Sequence, residues 1–212
     1  AMGAAEAVNV DWNAGPTAAV GETDIFEECE KMAAQQSSGV MVVDHGDIAG
    51  ARKDSAKTLS STYRTSSVLH FALEPQNALV EFVDGVFHIH AGNQWQSLII
   101  PMLAAALQVP EFNIVVHQYY LGGGFGRRGI GDQMIPAALA ARQLGRPVKL
   151  IFPRAEDSRF DCVRSPSLAR LDAFFDSEGA LTGIEHAAAA GWPSLAMAPF
   201  LLVDGIDGNG KF

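Results

Sequence analysis

Eight residues, Leu121-Gly122-Gly123-Gly124-Phe125-Gly126-Arg127-Arg128, combine four glycines, one aromatic ring and two guanidinium groups. Glycine lacks the Cβ that holds a ligand off the backbone and it tolerates positive φ, so such a run suits a loop whose amides lie against an anion. The two arginines that follow are forked cationic donors that match phosphate or carboxylate geometry better than lysine does. The alternative is a tight strand-to-helix turn that happens to be rich in glycine.

Charge supports a local anion site. Between Arg127 and Arg170 there are nine cationic side chains against four acids, in a chain of net charge −9. That acidity argues against a general nucleic-acid binder. The opposing reading is that these arginines pair with acids and line a solvated face. At 212 residues with 48% hydrophobic and 18% charged content, the chain has the composition of a globular protein with a real core. Its longest apolar runs fall short of the roughly 18 residues of a membrane span. Cys29 and Cys162 are too far apart for a short-spaced metal or redox pair.

Around the loop, periodicity predicts the elements that hold it. Asn113 to Tyr120 reads as a strand feeding into the glycines, and Asp132 as the cap of a helix to Leu144, stopped at Gly145-Arg146-Pro147 and followed by a strand over Val148 to Phe152. Upstream, Ala78–Val83 and Val86–Ala91 alternate about Asp84-Gly85, a pair suited to a type I′ hairpin. His88 and His90 share a face of the second strand, which suits a polar sheet face better than a metal site lacking a third ligand. A helix is expected from Trp95 to Gln108, with Pro101 kinking it or shifting its start. Strands are expected at Val8–Trp12, Val40–Asp44, Thr58–Arg64, Leu168–Phe175 and Ala180–Ala188, and helices at Ile25–Gln35, stopped at Ser37-Ser38-Gly39, and from Asp47 to Lys57. The fold class is α+β. Both ends of the sequence suggest a segment of a longer protein.

Gly124 to Gly129 also fits G-x-G-x-x-G between a strand and a helix, so an NADP-type dinucleotide-binding module is a rival. It weakens because the next strand ends at Pro153-Arg154 with no acid for a ribose.

The glycine motif resembles that of the molybdenum-binding large subunit of the xanthine oxidase family, and its Arg127-Arg128 pair resembles the isoquinoline 1-oxidoreductase β-subunit branch, which includes membrane-associated aldehyde dehydrogenases. His70-Phe71-Ala72-Leu73-Glu74-Pro75, Gly92-Asn93-Gln94, Pro153-Arg154-Ala155-Glu156-Asp157 and Arg164-Ser165-Pro166 are similar to further family motifs, in the family's order. The resemblance implies the tail of an α/β hammerhead domain and linker over residues 1–60, then the N-terminal part of a molybdopterin-binding domain over 61–212. It implies a molybdopterin cofactor in the cytosine dinucleotide form, and an oxidoreductase that hydroxylates an aldehyde or N-heteroaromatic compound with oxygen from water. Partners would be the remainder of the large subunit, an iron-sulfur subunit carrying the clusters and a cytochrome c, in the bacterial periplasm or at the membrane. Cofactor-binding residues would be Gly122, Gly123, Gly124, Phe125, Gly126, Arg127 and Arg128, with His70, Gln94 and Arg164 lining the site. No residue here would ligate the metal directly. The catalytic glutamate of the family has no counterpart in this sequence, so the chain alone is expected to be inactive.

Overall fold

A computed structural model describes residues 2–35, 39–191, 195, 202–203 and 206–207. The elements run α1 (Met2–Glu6), α2 (Glu22–Ala34), α3 (Ile48–Lys53), β1 (Lys57–Thr65), β2 (Asn77–Val83), β3 (Val86–Ala91), α4 (Gln96–Leu107), β4 (Ile114–Gln118), α5 (Met134–Leu144), β5 (Val148–Ile151), α6 (Arg154–Arg159), β6 (Ser167–Phe175) and β7 (Leu181–Ala190). The mixed α and β content agrees with the expected class. Two compact units form, and they interleave along the chain. The first comprises Ala1–Gly39, Gly46–Thr65 and Pro166–Ala189, the second Val40–His45, Ser66–Ser165 and Ala190–Phe212.

In the first unit β1, β6 and β7 form a sheet in that order, with β1 antiparallel to β6. Helix α2 packs on β6, burying Cys29 against Leu168 and Ala189. Asp24 reaches back to accept the Gly21 N–H at 2.7 Å, an acid at a helix start where the dipole favours it. Asp47 caps α3 by accepting from Gly50 at 2.8 Å, as expected, although the helix stops at Lys53 rather than Lys57. Val8–Trp12 and Val40–Asp44 are not strands. Their side chains are exposed, so alternation there reflects no buried face. Of the expected stop at Ser37-Ser38-Gly39, the two serines lie outside the described residues.

The second unit holds the glycine loop. Its sheet has the order β4-β3-β2-β5, with β3 and β4 parallel and both β2 pairings antiparallel. Asp84 and Gly85 take φ of 51° and 81°, the two left-handed residues that a type I′ turn requires. Alternation puts Ala78, Val80, Phe87 and Ile89 on one face, where Ile99, Leu103 and Leu107 of α4 and Met134, Ala137, Ala138 and Ala141 of α5 cover them. Each large aliphatic or aromatic side chain buried there contributes about 2 kcal/mol. Pro101 sits inside α4 without ending it. Gly145 ends α5 in the left-handed conformation, donating its N–H to Ala141 O at 3.0 Å. The opposite sheet face carries His88, His90 and His117, with the His90 and His117 rings stacked 4.3 Å apart. Among the described residues no three His, Cys, Asp or Glu side chains converge as a metal site.

Candidate functional site

Strand β4 delivers the chain into the glycine loop, and α5 begins only at Met134. Between them Gly123 and Gly126 both adopt φ of 100°, and Phe125, a bulky residue, is held at 53°. A non-glycine residue in that region is strained and persists only where its surroundings enforce it. Here the enforcement comes from four side chains. Glu74 Oε2 accepts the Gly122 N–H at 2.7 Å, and Gln94 Oε1 accepts those of Gly126 at 3.0 Å and Arg128 at 3.3 Å. Asp161 and Asp132 hold Arg127.

The glycines answer first to these internal contacts. A Cβ at Gly122 would stand 2.6 Å from Glu74 Cβ, and one at Gly124 would fall inside the Gln94 amide. The loop face beyond remains open to a ligand: the amides of Gly123, Gly124 and Phe125 have no partner among the described residues, and Phe125 is 72% exposed. Tyr120 and Phe71 are exposed in the same unit, and Phe71 is likewise left-handed at φ 47°. A run of free amides beside a projecting aromatic ring is the chemistry that receives an anionic or oxo group against a flat ring system.

The arginines differ from the anion-meeting role expected of them. Arg128 is fully buried; its Nη2 donates to the Glu74 and Pro75 carbonyls at 2.9 and 3.1 Å and pairs with Glu74 Oε2 at 3.1 Å. Burial pulls its guanidinium pKa down, with Glu74 and Asp157 opposing. Arg127 is buried too, forked onto Asp132 at 2.6 and 3.0 Å with its Nε 3.1 Å from Asp161. Burial lowers its pKa, but Asp132 more than offsets this and the net direction is up. The carboxylates these arginines meet are therefore the chain's own. Arg154 and Arg159 also pair locally, with Asp157 and Glu156. Arg164 is different. Its backbone bridges to Val68, and its exposed guanidinium has no ion-pair partner among the described residues.

His70 and Gln94 do meet the loop, His70 through Gly126 and Gln94 through the amides above. The sequence assigned no site role to Glu74, Asp157 and Asp161, and to Asp132 only that of a helix cap. Three of them are the acids that interrupt the basic segment, and that interruption was their signal. Asp132 does not cap α5, because its carboxylate is turned back onto Arg127. Elsewhere, in the first unit, a groove of about 750 Å³ is lined by Arg52, Arg170, Asp172 and Glu185. Its charges pair with one another, Arg52 with Glu185 and Arg170 with Asp172.

The dinucleotide alternative finds no support. Two strands, β3 and β2, separate β5 from β4, so β4, α5 and β5 do not form an adjacent parallel unit, and Arg154 is occupied by Asp157 and the Leu73 carbonyl.

A profile for the molybdopterin cofactor-binding domain matches residues 31–198, and the chain belongs to that family. Among curated relatives it is 45% identical over 210 residues to a membrane-bound aldehyde dehydrogenase [pyrroloquinoline-quinone] of Gluconacetobacter polyoxogenes, covering 99% of this chain and 27% of that protein. It is 32% identical over 142 residues to the aldehyde oxidoreductase molybdenum-binding subunit PaoC of Escherichia coli K12, covering 66% and 19%. Among solved structures, the aldehyde oxidoreductase of Desulfovibrio gigas superposes with a TM-score of 0.60 at 22% identity, over 68% of this chain and 16% of that one. The chain thus spans about a quarter or less of the length of these relatives.

Proposed function

We propose that this chain forms one wall of a molybdopterin site in an oxidoreductase that hydroxylates an aldehyde or an N-heteroaromatic compound with oxygen from water. The observation that supports this most directly is the run of unpartnered amides at Gly123, Gly124 and Phe125, fixed by Glu74 and Gln94 beside an exposed, left-handed Phe125. These residues fit the cofactor: amides suit its phosphate or oxo oxygens, and an aromatic ring suits its planar pterin or a flat substrate. When bound, the cofactor supplies a two-electron redox centre. The chain's own part is to position and to exclude water: exposed Gln94 holds the turn by its Oε1, with no partner for its Nε2 among the described residues, and Phe125 projects from the loop. Arg164 is the cation available to anionic charge there.

Gly122, Gly126, Arg127 and Arg128 serve the site from within, by shaping the turn that presents the three amides. The name of the Gluconacetobacter relative carries pyrroloquinoline quinone, but residues 31–198 match a molybdopterin-binding domain, so molybdopterin is the cofactor proposed. The cytosine dinucleotide form, an iron-sulfur partner subunit that accepts the electrons, a cytochrome c beyond it and a periplasmic or membrane-associated location complete the proposal. The division into a hammerhead-like tail over residues 1–60 and a molybdopterin-binding part over 61–212 belongs to it too. No helix among the described residues is long and apolar enough to cross a membrane.

The test is to express the full-length gene product and measure bound molybdenum, pterin and nucleotide together with oxidation of benzaldehyde and nicotinate. The expected result is about one molybdenum per large subunit, cytosine nucleotide on acid hydrolysis and turnover of one substrate class. Protein free of molybdenum after expression in a molybdopterin-competent host would overturn the proposal.

A further inference from the structure

We infer that His70 is a proton acceptor of this site, with Asp161 fixing its ring so that Nε2 faces the glycine loop. Asp161 has a side chain only 5% exposed, and it grips His70 twice: Oδ2 accepts the backbone N–H at 2.7 Å and Oδ1 faces Nδ1 at 2.9 Å. An ionised carboxylate can only accept, so Nδ1 carries the hydrogen and Nε2 carries the lone pair. Arg127 Nε stands 3.1 Å from the same Oδ1, an opposite charge beside the carboxylate. Nε2 has no partner among the described residues, and it lies 3.8 Å from the point where a Cβ on Gly126 would stand. With glycine at 126, that ring edge is left uncovered beside Phe125. The His70 side chain is 18% exposed, shielded yet reachable. A buried carboxylate, an imidazole of fixed tautomer and an open Nε2 are the parts of a general-base dyad.

This inference rests on the proposed hydroxylase function. Hydroxylation of a carbon by water converts R–H and H2O into R–OH, two protons and two electrons. The electrons leave to the iron-sulfur partner, and the protons need acceptors. His70 Nε2 takes one of them, becoming an imidazolium whose charge the Asp161 carboxylate meets, and releases it to water at its exposed edge.

The test uses the full-length enzyme and its His70→Gln and Asp161→Asn variants. Molybdenum content is measured first, because wild-type protein without molybdenum overturns the hydroxylase reading and this inference with it. With molybdenum equal in all three, His70→Gln is expected to lower kcat by roughly 10²-fold, to leave KM within about twofold, and to remove one limb of the kcat–pH profile. Asp161→Asn is expected to move that limb. An unchanged profile in His70→Gln at normal molybdenum content overturns the inference and leaves the hydroxylase reading standing. Wild-type protein gives an independent readout should the variants fail to fold. Diethyl pyrocarbonate, which attacks unprotonated imidazole, is expected to modify His70, as located by mass spectrometry, and nicotinate or benzaldehyde without an electron acceptor is expected to slow that reaction. A His70 that stays unmodified, or is modified at the same rate with either compound present, overturns the inference.

Discussion

Glu74 and Arg128, 54 positions apart, pin the glycine loop to the strand entry: Glu74 Oε2 holds the Gly122 N–H at 2.7 Å and lies 3.1 Å from Nη2 of a fully buried Arg128. Removing one partner of such a pair leaves the other charge buried and uncompensated. Glu74→Ala should therefore cost about 3 kcal/mol in urea unfolding, the low end for buried pairs because Glu74 itself reaches solvent. Glu74→Gln, which keeps an acceptor for Gly122, should cost less. An alanine variant as stable as the wild type would show that the pin carries no weight.

The same carboxylate gives a pH dependence. Burial raises the Glu74 pKa, but the Gly122 amide, Asn77 and Arg128 outweigh it and hold it below the ordinary glutamate value. Because the folded pKa is depressed, the stabilisation is complete above about pH 4.3 and is lost as pH falls through the folded value. Acid titration of stability should show this loss in the wild type and a flatter curve in Glu74→Gln.

Two glycines separate packing from conformation. Gly124→Ala must displace the Gln94 side chain that holds Gly126, so it is expected to open the turn and cost at least 1 kcal/mol. Gly39→Ala meets nothing within 4 Å at ordinary φ and should change stability by less than about 0.5 kcal/mol. Thermal or urea midpoints of the two variants decide the matter, and equal effects would sink the steric account.

These results show which parts of the site were readable from the chain alone. The Asp84-Gly85 hairpin, the Gly145 stop and the strand entering the loop follow from local chemistry, and the structure has all three. The family resemblance was carried by short motifs whose order a chain displays directly. Long-range pairing was not legible. Nothing local tells Arg128 that Glu74 will neutralise it, or Asp161 that it will hold a histidine 91 residues upstream. Asp132 has the same residue type whether it caps a helix or grips Arg127, and the choice is made by packing. Val8–Trp12 shows the converse, alternation without a sheet to receive it.

The imidazoles on the open face of the second unit's sheet supply a second pH test. Burial lowers the His90 pKa, His117 and His88 lower it further, and Glu81 opposes them; Tyr119 also faces the ring, 3.2 Å from its Nδ1. The fold therefore prefers neutral His90. Its unfolded pKa is near 6.5, so stability should fall as pH drops below about 6.5 toward the depressed folded value. His90→Gln should flatten that part of the stability curve between pH 5 and 7. A slope unaltered by the substitution would assign it to other groups.

Arg164 and Arg128 make opposite predictions, and together they separate a ligand-facing cation from a structural one. Arg128 has no exposed surface and holds two backbone carbonyls, so Arg128→Gln should destabilise the fold by several kcal/mol before any ligand is involved. Arg164 is exposed and has no ion-pair partner among the described residues. Arg164→Gln should therefore leave the unfolding midpoint unchanged. In the full-length protein it should instead weaken retention of an anionic cofactor, seen as molybdenum lost on dialysis, with less dependence on salt than the wild type shows, because one screened charge contact is gone. If Arg164→Gln retained molybdenum like the wild type at every salt concentration while Arg128→Gln stayed folded and lost it, the roles assigned to the two arginines would have to be exchanged.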